Sequence, residues 1–262
     1  MPFEEYKAVN AVNQSSLKPM VEGFGGSPRA YKMALDDPQE STPAMELGTV
    51  IETCFLYRAD YLTAVQKSQK NRGTKGFDAD RAQYAIGTIF VTVEEYDMIE
   101  LLYESFRANE YYETIMAGEK QPSLFWTDSE TGLDCKARLD VLTDDLVIDI
   151  KKTRHVSEQL FWNDFAKLLY HMQFASYIDA AGMLDNKIRD GLVVVPRTEK
   201  PFEVLIYPVP DDAIQTGRLL YRSCLNKVRD CREVNAYPGL CEGVGRGLRK
   251  PSFPEWALKI TE

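Results

Sequence analysis

The sequence is poor in several features that mark common protein classes. It has only two histidines, and its five cysteines form no CxxC pair. A zinc site or an iron–sulfur cluster is therefore not expected, and the odd number of cysteines favours a reduced, cytoplasmic protein. No apolar run is long enough to cross a bilayer, and the first ten residues lack the basic-then-apolar layout of a signal peptide. We expect a cytoplasmic protein with no membrane partner.

An excess of positive charge is also missing. Lysine and arginine number 31 against 40 aspartates and glutamates, which gives a net charge of −9. A chain of this charge does not coat nucleic acid uniformly. Its basic residues are clustered instead, for example at 67–75 and 151–155. These clusters are either solvated surface or local contacts of an enzyme that binds a polyanion and holds a metal with acidic ligands.

The chain has 262 residues, 44% of them apolar, and this is enough for one substantial core or two small ones. Apolar segments of helical and of strand period follow one another along the chain. We expect a single domain over 1–262, with a mainly helical part at about 1–110, a core at about 120–234 and a tail at 235–262.

Local signals place several elements. The capping box at 92–95 opens a helix, and Ser27 with the proline after it opens another. Ser15 or Ser16 is expected to cap a short helix. The basic, glycine-bearing stretch at 66–78 is typical of a flexible loop.

The stretch 139–153, LDVLTDDLVIDIKKT, is expected to organise the fold. It is interpreted as two strands joined by a polar turn. Because side chains alternate faces along a strand, Asp140 shares a face with Lys136 and Arg138 before the turn. After the turn, Asp149 interrupts an apolar, β-branched run, and Lys151 lies on its face.

A charge inside such a strand is costly unless it is paired or bound to a metal. A structural ion pair between Asp149 and Lys151 is one interpretation. The other is a divalent-metal site for phosphodiester hydrolysis, in which Asp140 and Asp149 supply oxygen ligands and Lys151 contacts the attacking water or the scissile phosphate. The spacing alone leaves both open.

Four residues outside this stretch are further candidates. Glu52 interrupts the apolar side of a predicted helix at 45–57. Gln173 and Tyr177 are four residues apart, on one helix face. Arg29 lies in the first turn of the helix that Ser27 opens, where a phosphate would meet free N–H groups. A solvated glutamate, a core tyrosine with an incidental glutamine and an ordinary surface arginine are the alternatives.

Taken together, these residues resemble a known signature. Asp140, the run 149–151 and the pair Gln173 and Tyr177 are similar to the PD-(D/E)xK nuclease signature in its RecB-like form. More closely, the chain resembles the RecE family, the catalytic part of exonuclease VIII. The resembling segments, in order, are SPRAY at 27–31, LGTVIE at 47–52, TVEEYDMIELLYES at 92–105, LFWTDSETGLDCKARLD at 124–140, VIDIKKT at 147–153, YHMQFASY at 170–177 and PEWA at 254–257.

The resemblance implies an α/β, restriction-endonuclease-like core with a central mixed sheet flanked by helices. It implies a Mg²⁺-dependent exodeoxyribonuclease, with Mn²⁺ able to substitute, that digests linear double-stranded DNA from 5′ to 3′. The remaining 3′ single strands would serve annealing-type recombination in a bacterial or phage-infected cell. The expected partners are DNA ends, a RecT-type single-strand annealing protein and further copies of the chain in a ring, with a tetramer favoured over a trimer.

The resemblance also implies roles for individual residues. The metal ligands are Glu52, Asp140, Asp149 and the carbonyl of Ile150. Lys151 acts on the water or the phosphate, and Gln173 and Tyr177 position the active-site groups. The expected DNA contacts are Arg29, Arg72, Lys75, Arg138 and Arg154.

Two positions depart from the family pattern. Leu139 stands where the signature has proline, and Glu52 stands where RecE-like proteins usually have histidine. A carboxylate is a harder ligand than imidazole and suits Mg²⁺ or Mn²⁺. Two other functions stay open: an endonuclease with the same core, and a non-catalytic module that binds DNA ends. Linear and covalently closed duplex substrates distinguish them.

Overall fold

A computed structural model describes residues 1–38, 40–85 and 87–242. Most of the predicted tail, including the PEWA segment at 254–257, lies outside these ranges. Within them, no helix combines the length and the apolar character that crossing a membrane requires.

The described residues form nine β-strands, in three sheets. The strands are β1 (Val65–Ser68), β2 (Ile89–Thr92), β3 (Glu119–Lys120), β4 (Ser123–Thr127), β5 (Asp134–Arg138), β6 (Val141–Leu142), β7 (Leu146–Ile150), β8 (Asp190–Pro196) and β9 (Val204–Pro208). The central sheet has the order β3-β6-β7-β8-β9. Its middle strand, β7, pairs antiparallel with β6 and parallel with β8, so the predicted mixed sheet is confirmed.

Eleven α-helices in the same residues surround the sheets. They are α1 (Phe3–Ala8), α2 (Gln14–Leu17), α3 (Pro28–Asp36), α4 (Pro43–Leu56), α5 (Arg58–Ala64), α6 (Lys75–Arg81), α7 (Val93–Arg107), α8 (Tyr112–Ala117), α9 (Glu158–Lys167), α10 (Tyr170–Asp185) and α11 (Asp211–Val234). Short 3₁₀ turns follow α2 at Lys18–Met20 and Glu22–Phe24.

The alternation of side chains along β7 and β8 sends apolar groups to both faces of the central sheet. Ile148 and Val194 join a core with buried residues of α4 and α7. Val147 and Val193 join a second core with phenylalanines of α9 and α10. Strands buried on both faces are apolar almost throughout, so a charged residue in β7 requires a compensating partner.

Helix starts follow the local signals with one exception. The Thr92 and Glu95 capping box opens α7, and the Ser27 hydroxyl accepts a hydrogen bond at the start of α3. The prediction that Ser15 or Ser16 caps α2 is wrong. The cap is Asn13, whose side-chain oxygen accepts a 2.8 Å hydrogen bond from the Ser16 N–H.

Two predicted segments differ from the structure. The expected loop at 66–78 contains most of β1, which pairs parallel with β2, and the start of α6. The strand expected before the central turn is broken, because β5 ends at Arg138 and pairs with β4 in a separate two-stranded sheet. Asp140 lies in this break, so simple strand alternation does not determine where its side chain points.

Lys136, expected on the face of Asp140, serves the N-terminus instead. Its buried ammonium donates to the carbonyls of Tyr6, Lys7 and Val9, at the end of α1. Lysine near a helix C-terminus satisfies carbonyls that have no partner within the helix. The N-terminal part therefore packs against the sheets rather than forming a separate body.

Helices α10 and α11 approach closely at Gly217. A Cβ atom at this position would lie 2.1 Å from the carbonyl oxygen of His171 and 3.0 Å from the Cβ of Ala175. Only glycine allows α11 to contact the backbone of α10 in this way. This contact fixes the position of α10, which carries two of the candidate site residues.

Candidate active site

The candidate site lies at the carboxyl end of β7. Asp149, the fourth residue of the strand, is 1% exposed, and its Oδ2 atom faces the ammonium of Lys151 without hydrogen-bond geometry. The sequence produces this arrangement because residues two apart on a strand share a face. The ion pair predicted from the sequence is present, and a metal ligand with a neighbouring lysine has the same geometry.

Asp140 is joined to this strand by a backbone contact. The N–H of Ile150 donates a 2.7 Å hydrogen bond to Asp140 Oδ2. The break between β5 and β6 brings the Asp140 carboxylate alongside β7, although it is nine positions before Asp149. Both carboxylates of the sequence motif therefore reach the same end of the central strand.

Helix α10 supplies two polar side chains to the same place. The amide of Gln173 donates to Asp149 Oδ1 at 3.3 Å and to the Tyr177 hydroxyl at 2.8 Å. The four-residue spacing places both side chains on the face of α10 that packs on the sheet. Burial, and then the charge of Asp149, raises the pKa of Tyr177, which therefore stays a neutral phenol.

Glu52 reaches the site from α4, on the other side of the sheet. Gln121 donates a 2.7 Å hydrogen bond from its side-chain amide to Glu52 Oε1. Burial raises the pKa of Glu52, and the charge of Asp149 adds to this effect. The apolar neighbours that made Glu52 stand out in the sequence are the buried residues Ile51, Cys54 and Phe55 of the same helix.

The electrostatics show that the acidic groups interact. Burial, followed by the charges of Asp149 and Glu52, raises the pKa of the Asp140 carboxyl well above its usual range. Burial opposes the charge on Lys151, but the carboxylates of Asp149 and Asp140 outweigh it, and the pKa of Lys151 lies above its ordinary value. Lys151 is therefore a stable cation at neutral pH.

A second lysine, which the sequence motifs did not indicate, approaches the same groups. The ammonium groups of Lys18 and Lys151 lie 5.3 and 5.0 Å from the centre of the Tyr170 ring. Burial, and then repulsion by Lys151, lowers the pKa of Lys18 to about 8. The 3₁₀ turn after α2 thus contributes positive charge beside the acidic cluster.

The donor set fits a hard divalent cation. In the ranges that the structure describes, no three acidic, histidine or cysteine side chains already converge in metal-ligating geometry. Asp149 turns to Lys151, and Glu52 turns to Gln121. Yet, beyond the effect of burial, the charge of Asp149 raises the pKa of both Glu52 and Asp140. Carboxylates held close together repel each other, and a hard cation such as Mg²⁺ or Mn²⁺ relieves this repulsion by binding their oxygens.

The five basic residues expected to contact DNA occupy different surroundings. Arg29 pairs with Glu242, and Arg72 is held by Glu46, Glu95 and the carbonyl of Phe90. Arg138 donates to Met1, Ser123 and Gln121. Lys75 and Arg154 are exposed; Lys75 is the first residue of α6, and Arg154 lies four residues after the end of β7. Of the five, only Lys75 and Arg154 are shown without a side-chain partner in the described part of the chain.

Comparisons with known proteins agree with this geometry. No curated protein matches the chain significantly. The crystal structure of a provisionally named exonuclease from Eubacterium rectale has a TM-score of 0.67 over 100% of this chain and 99% of that one, at 12% identity. This identity shows a shared fold alone. A second crystal structure, of the protein SSO0001, covers 72% of this chain and 88% of its own at 15% identity, with a TM-score of 0.31 that supports no argument.

The decisive match is to a family model. The model described as a PDDEXK-like domain of unknown function (DUF3799) matches residues 14–246, which include every residue placed at the site above. The predicted fold class is thereby confirmed, and the resemblance to RecE is supported only at the level of the wider PD-(D/E)xK group. The chain belongs to the family of PDDEXK-like domains of unknown function (DUF3799).

Proposed function

We propose that this protein is a Mg²⁺-dependent exodeoxyribonuclease that degrades linear double-stranded DNA from 5′ to 3′. One observation carries the proposal: Asp140, Asp149 and Lys151 meet Glu52 of α4 and Gln173 of α10 at one end of β7. A structural ion pair accounts for Asp149 and Lys151 but gives no reason for two further half-buried carboxylates beside them. A metal site accounts for all three carboxylates.

The residues of the chain have distinct roles in this proposal. Glu52, Asp140, Asp149 and the carbonyl of Ile150 would hold the cation, which would supply an activated water and neutralise charge on the phosphate. Lys151, whose ammonium faces Asp149 at the end of β7, stabilises the charge that develops on the scissile phosphate. Gln173 holds Asp149 and is itself held against Tyr177.

The choice of an exonuclease rests on the resemblance of seven sequence segments to the RecE family. The Eubacterium rectale protein, which is provisionally named an exonuclease, shares the fold. An endonuclease with the same core is the second candidate, because the site geometry is common to both. A non-catalytic DNA-end-binding module is disfavoured by the chemistry of the site, where both motif carboxylates and the lysine are present. The substrate topology separates the candidates.

The test is digestion of one duplex sequence in three forms: linear with a 5′-phosphate, linear with a 5′-hydroxyl, and covalently closed. We expect Mg²⁺ to support loss of both linear forms, released as nucleotides from the 5′ end, while the closed circle stays intact. Chelation by EDTA should stop the reaction. Cleavage of the closed circle would assign an endonuclease, and binding without digestion at any Mg²⁺ or Mn²⁺ concentration would contradict catalysis.

We further propose that the protein works as a ring, with a tetramer favoured over a trimer, and that it supplies 3′ single strands to a RecT-type annealing protein in a bacterial or phage-infected cell. The net charge of −9 suits enclosure of DNA better than continuous electrostatic attraction. Light scattering coupled to size exclusion should give a closed oligomer. A monomer that digests long duplexes without dissociating would contradict the ring.

A further inference from the structure

One residue contacts two of the three site carboxylate residues, and none of the sequence motifs includes it. Gln121 lies between β3 and β4. Its backbone N–H donates to the carbonyl of Asp140 at 2.8 Å, and its side-chain amide donates to Glu52 Oε1 at 2.7 Å. Glu52 is 69 positions away in the sequence. Gln121 thus joins α4 to the segment between β5 and β6 that carries Asp140.

The amide of Gln121 has one possible orientation in this network. Arg138 donates to Gln121 Oε1 at 3.0 Å, and a guanidinium has only donors. The amide oxygen must therefore face Arg138, and its NH₂ group must face Glu52. Arg138 is fixed in turn by the carbonyl of Met1 at 2.9 Å and the hydroxyl of Ser123 at 3.0 Å.

The backbone of Gln121 is also unusual. Its φ is 51°, in the left-handed region that residues other than glycine rarely adopt. Such a conformation is strained and persists only where surrounding contacts hold it. Here the conformation directs the N–H to Asp140 and the side chain to Glu52 at the same time. The chain has a glutamine at this turn, although a glycine would adopt the same φ without strain.

An amide differs from the obvious alternative, an arginine placed directly on Glu52. A guanidinium there would neutralise the carboxylate and compete with a cation. The neutral amide binds Glu52 Oε1 without removing the negative charge. Because Gln121 lies between them, the Arg138 guanidinium does not bond to Glu52 itself. The network therefore orients Glu52 while preserving its ability to bind metal.

We infer that Gln121 is a positioning residue that, held by Arg138, fixes Glu52 relative to Asp140 for binding a divalent cation. The inference rests on the proposed metal-dependent function and deepens it. It also gives Arg138 a role inside the protein, in place of the DNA contact expected from the sequence. A merely structural glutamine would affect stability but not the affinity for metal.

The test measures Mn²⁺ binding directly, by electron paramagnetic resonance of the free ion, without any nuclease assay. The variants are Gln121→Met, which keeps the side-chain length, and Gln121→Asn, which suits left-handed backbone but is too short to reach Glu52. We expect both to bind Mn²⁺ roughly 10- to 100-fold more weakly, the usual effect of removing a group that orients a metal ligand.

Two reference variants make the outcomes distinct. Gln83→Met is the matched control, because within the described residues the side chain of this exposed glutamine bonds only to the carbonyl of Ala79 in α6. This variant should bind Mn²⁺ normally. Glu52→Gln should bind weakly. If both folded Gln121 variants bind Mn²⁺ as the unsubstituted protein does while Glu52→Gln is impaired, the inference fails and the proposed function stands. If the unsubstituted protein binds no Mn²⁺, the proposed function fails, and the inference fails with it.

Discussion

Lys151→Ala is expected to lower the rate of Mg²⁺-dependent DNA digestion by about 100- to 1,000-fold, the usual effect of removing one preorganised group that stabilises transition-state charge. Asp149→Asn should abolish digestion, because it removes a carboxylate ligand and leaves Lys151 unpaired. Initial rates on linear duplex at saturating Mg²⁺ measure both effects. Near-normal digestion by either folded variant would contradict the site assignment.

The two variants need a control for folding, because breaking a buried ion pair leaves an uncompensated charge and destabilises a protein. Lys187→Ala is the matched control: this lysine also pairs with an aspartate, Asp144, but both side chains are exposed. Thermal unfolding of each variant establishes the folded fraction at the assay temperature. We expect Lys187→Ala to keep full activity and stability, since exposed ion pairs contribute little.

Gly217→Ala is expected to destabilise the fold strongly. The new methyl group would overlap the carbonyl of His171, and that oxygen belongs to the backbone of α10, so a whole helix must shift. Overpacking of this kind costs on the order of 2 kcal/mol or more, which corresponds to a fall in Tm of roughly 4–8 °C for a chain of this size. Because α10 carries Gln173 and Tyr177, digestion should also weaken below the melting transition.

Gly48→Ala provides the comparison for Gly217→Ala. Gly48 lies inside α4, and a Cβ there would meet only the flexible side chain of Lys152, at 3.6 Å. Alanine in a helix interior is favoured over glycine by up to about 1 kcal/mol, so this variant should be neutral or stabilised. Differential scanning calorimetry measures both. Equal Tm values for the two variants would show that α10 and α11 are not held by close contact at Gly217.

Much of the fold was predictable because it follows from local rules. Strand β7 and its turn follow from a β-branched run beside polar residues, and α7 follows from a capping box. The site residues Asp149, Lys151, Gln173 and Tyr177 were found because period-2 and period-4 spacing places each pair on one face. The structure brings these four together, as the spacing predicts.

What the sequence did not indicate depends on contacts between distant segments. Gln121 stands alone before a proline, and nothing nearby marks it as a partner of Glu52. Strand alternation predicts Lys136 on the same face as Asp140. The strand ends after Arg138, however, and the Lys136 ammonium donates to carbonyls at the end of α1 instead. Lys18 approaches Lys151 only because the 3₁₀ turn after α2 packs beside α10. Such pairings become visible only with the chain folded.

The distribution of the site along the chain has a consequence for synthesis. Glu52, Gln121, Asp140 and Tyr177 come from four separate segments, and β8, the parallel neighbour that encloses β7, is completed only at Pro196. Long-range pairings of this kind form after local ones, and a growing chain folds from its N-terminus. A nascent or prematurely terminated chain therefore carries no complete site. Under the proposed function, the chain could not digest DNA until translation has passed β8.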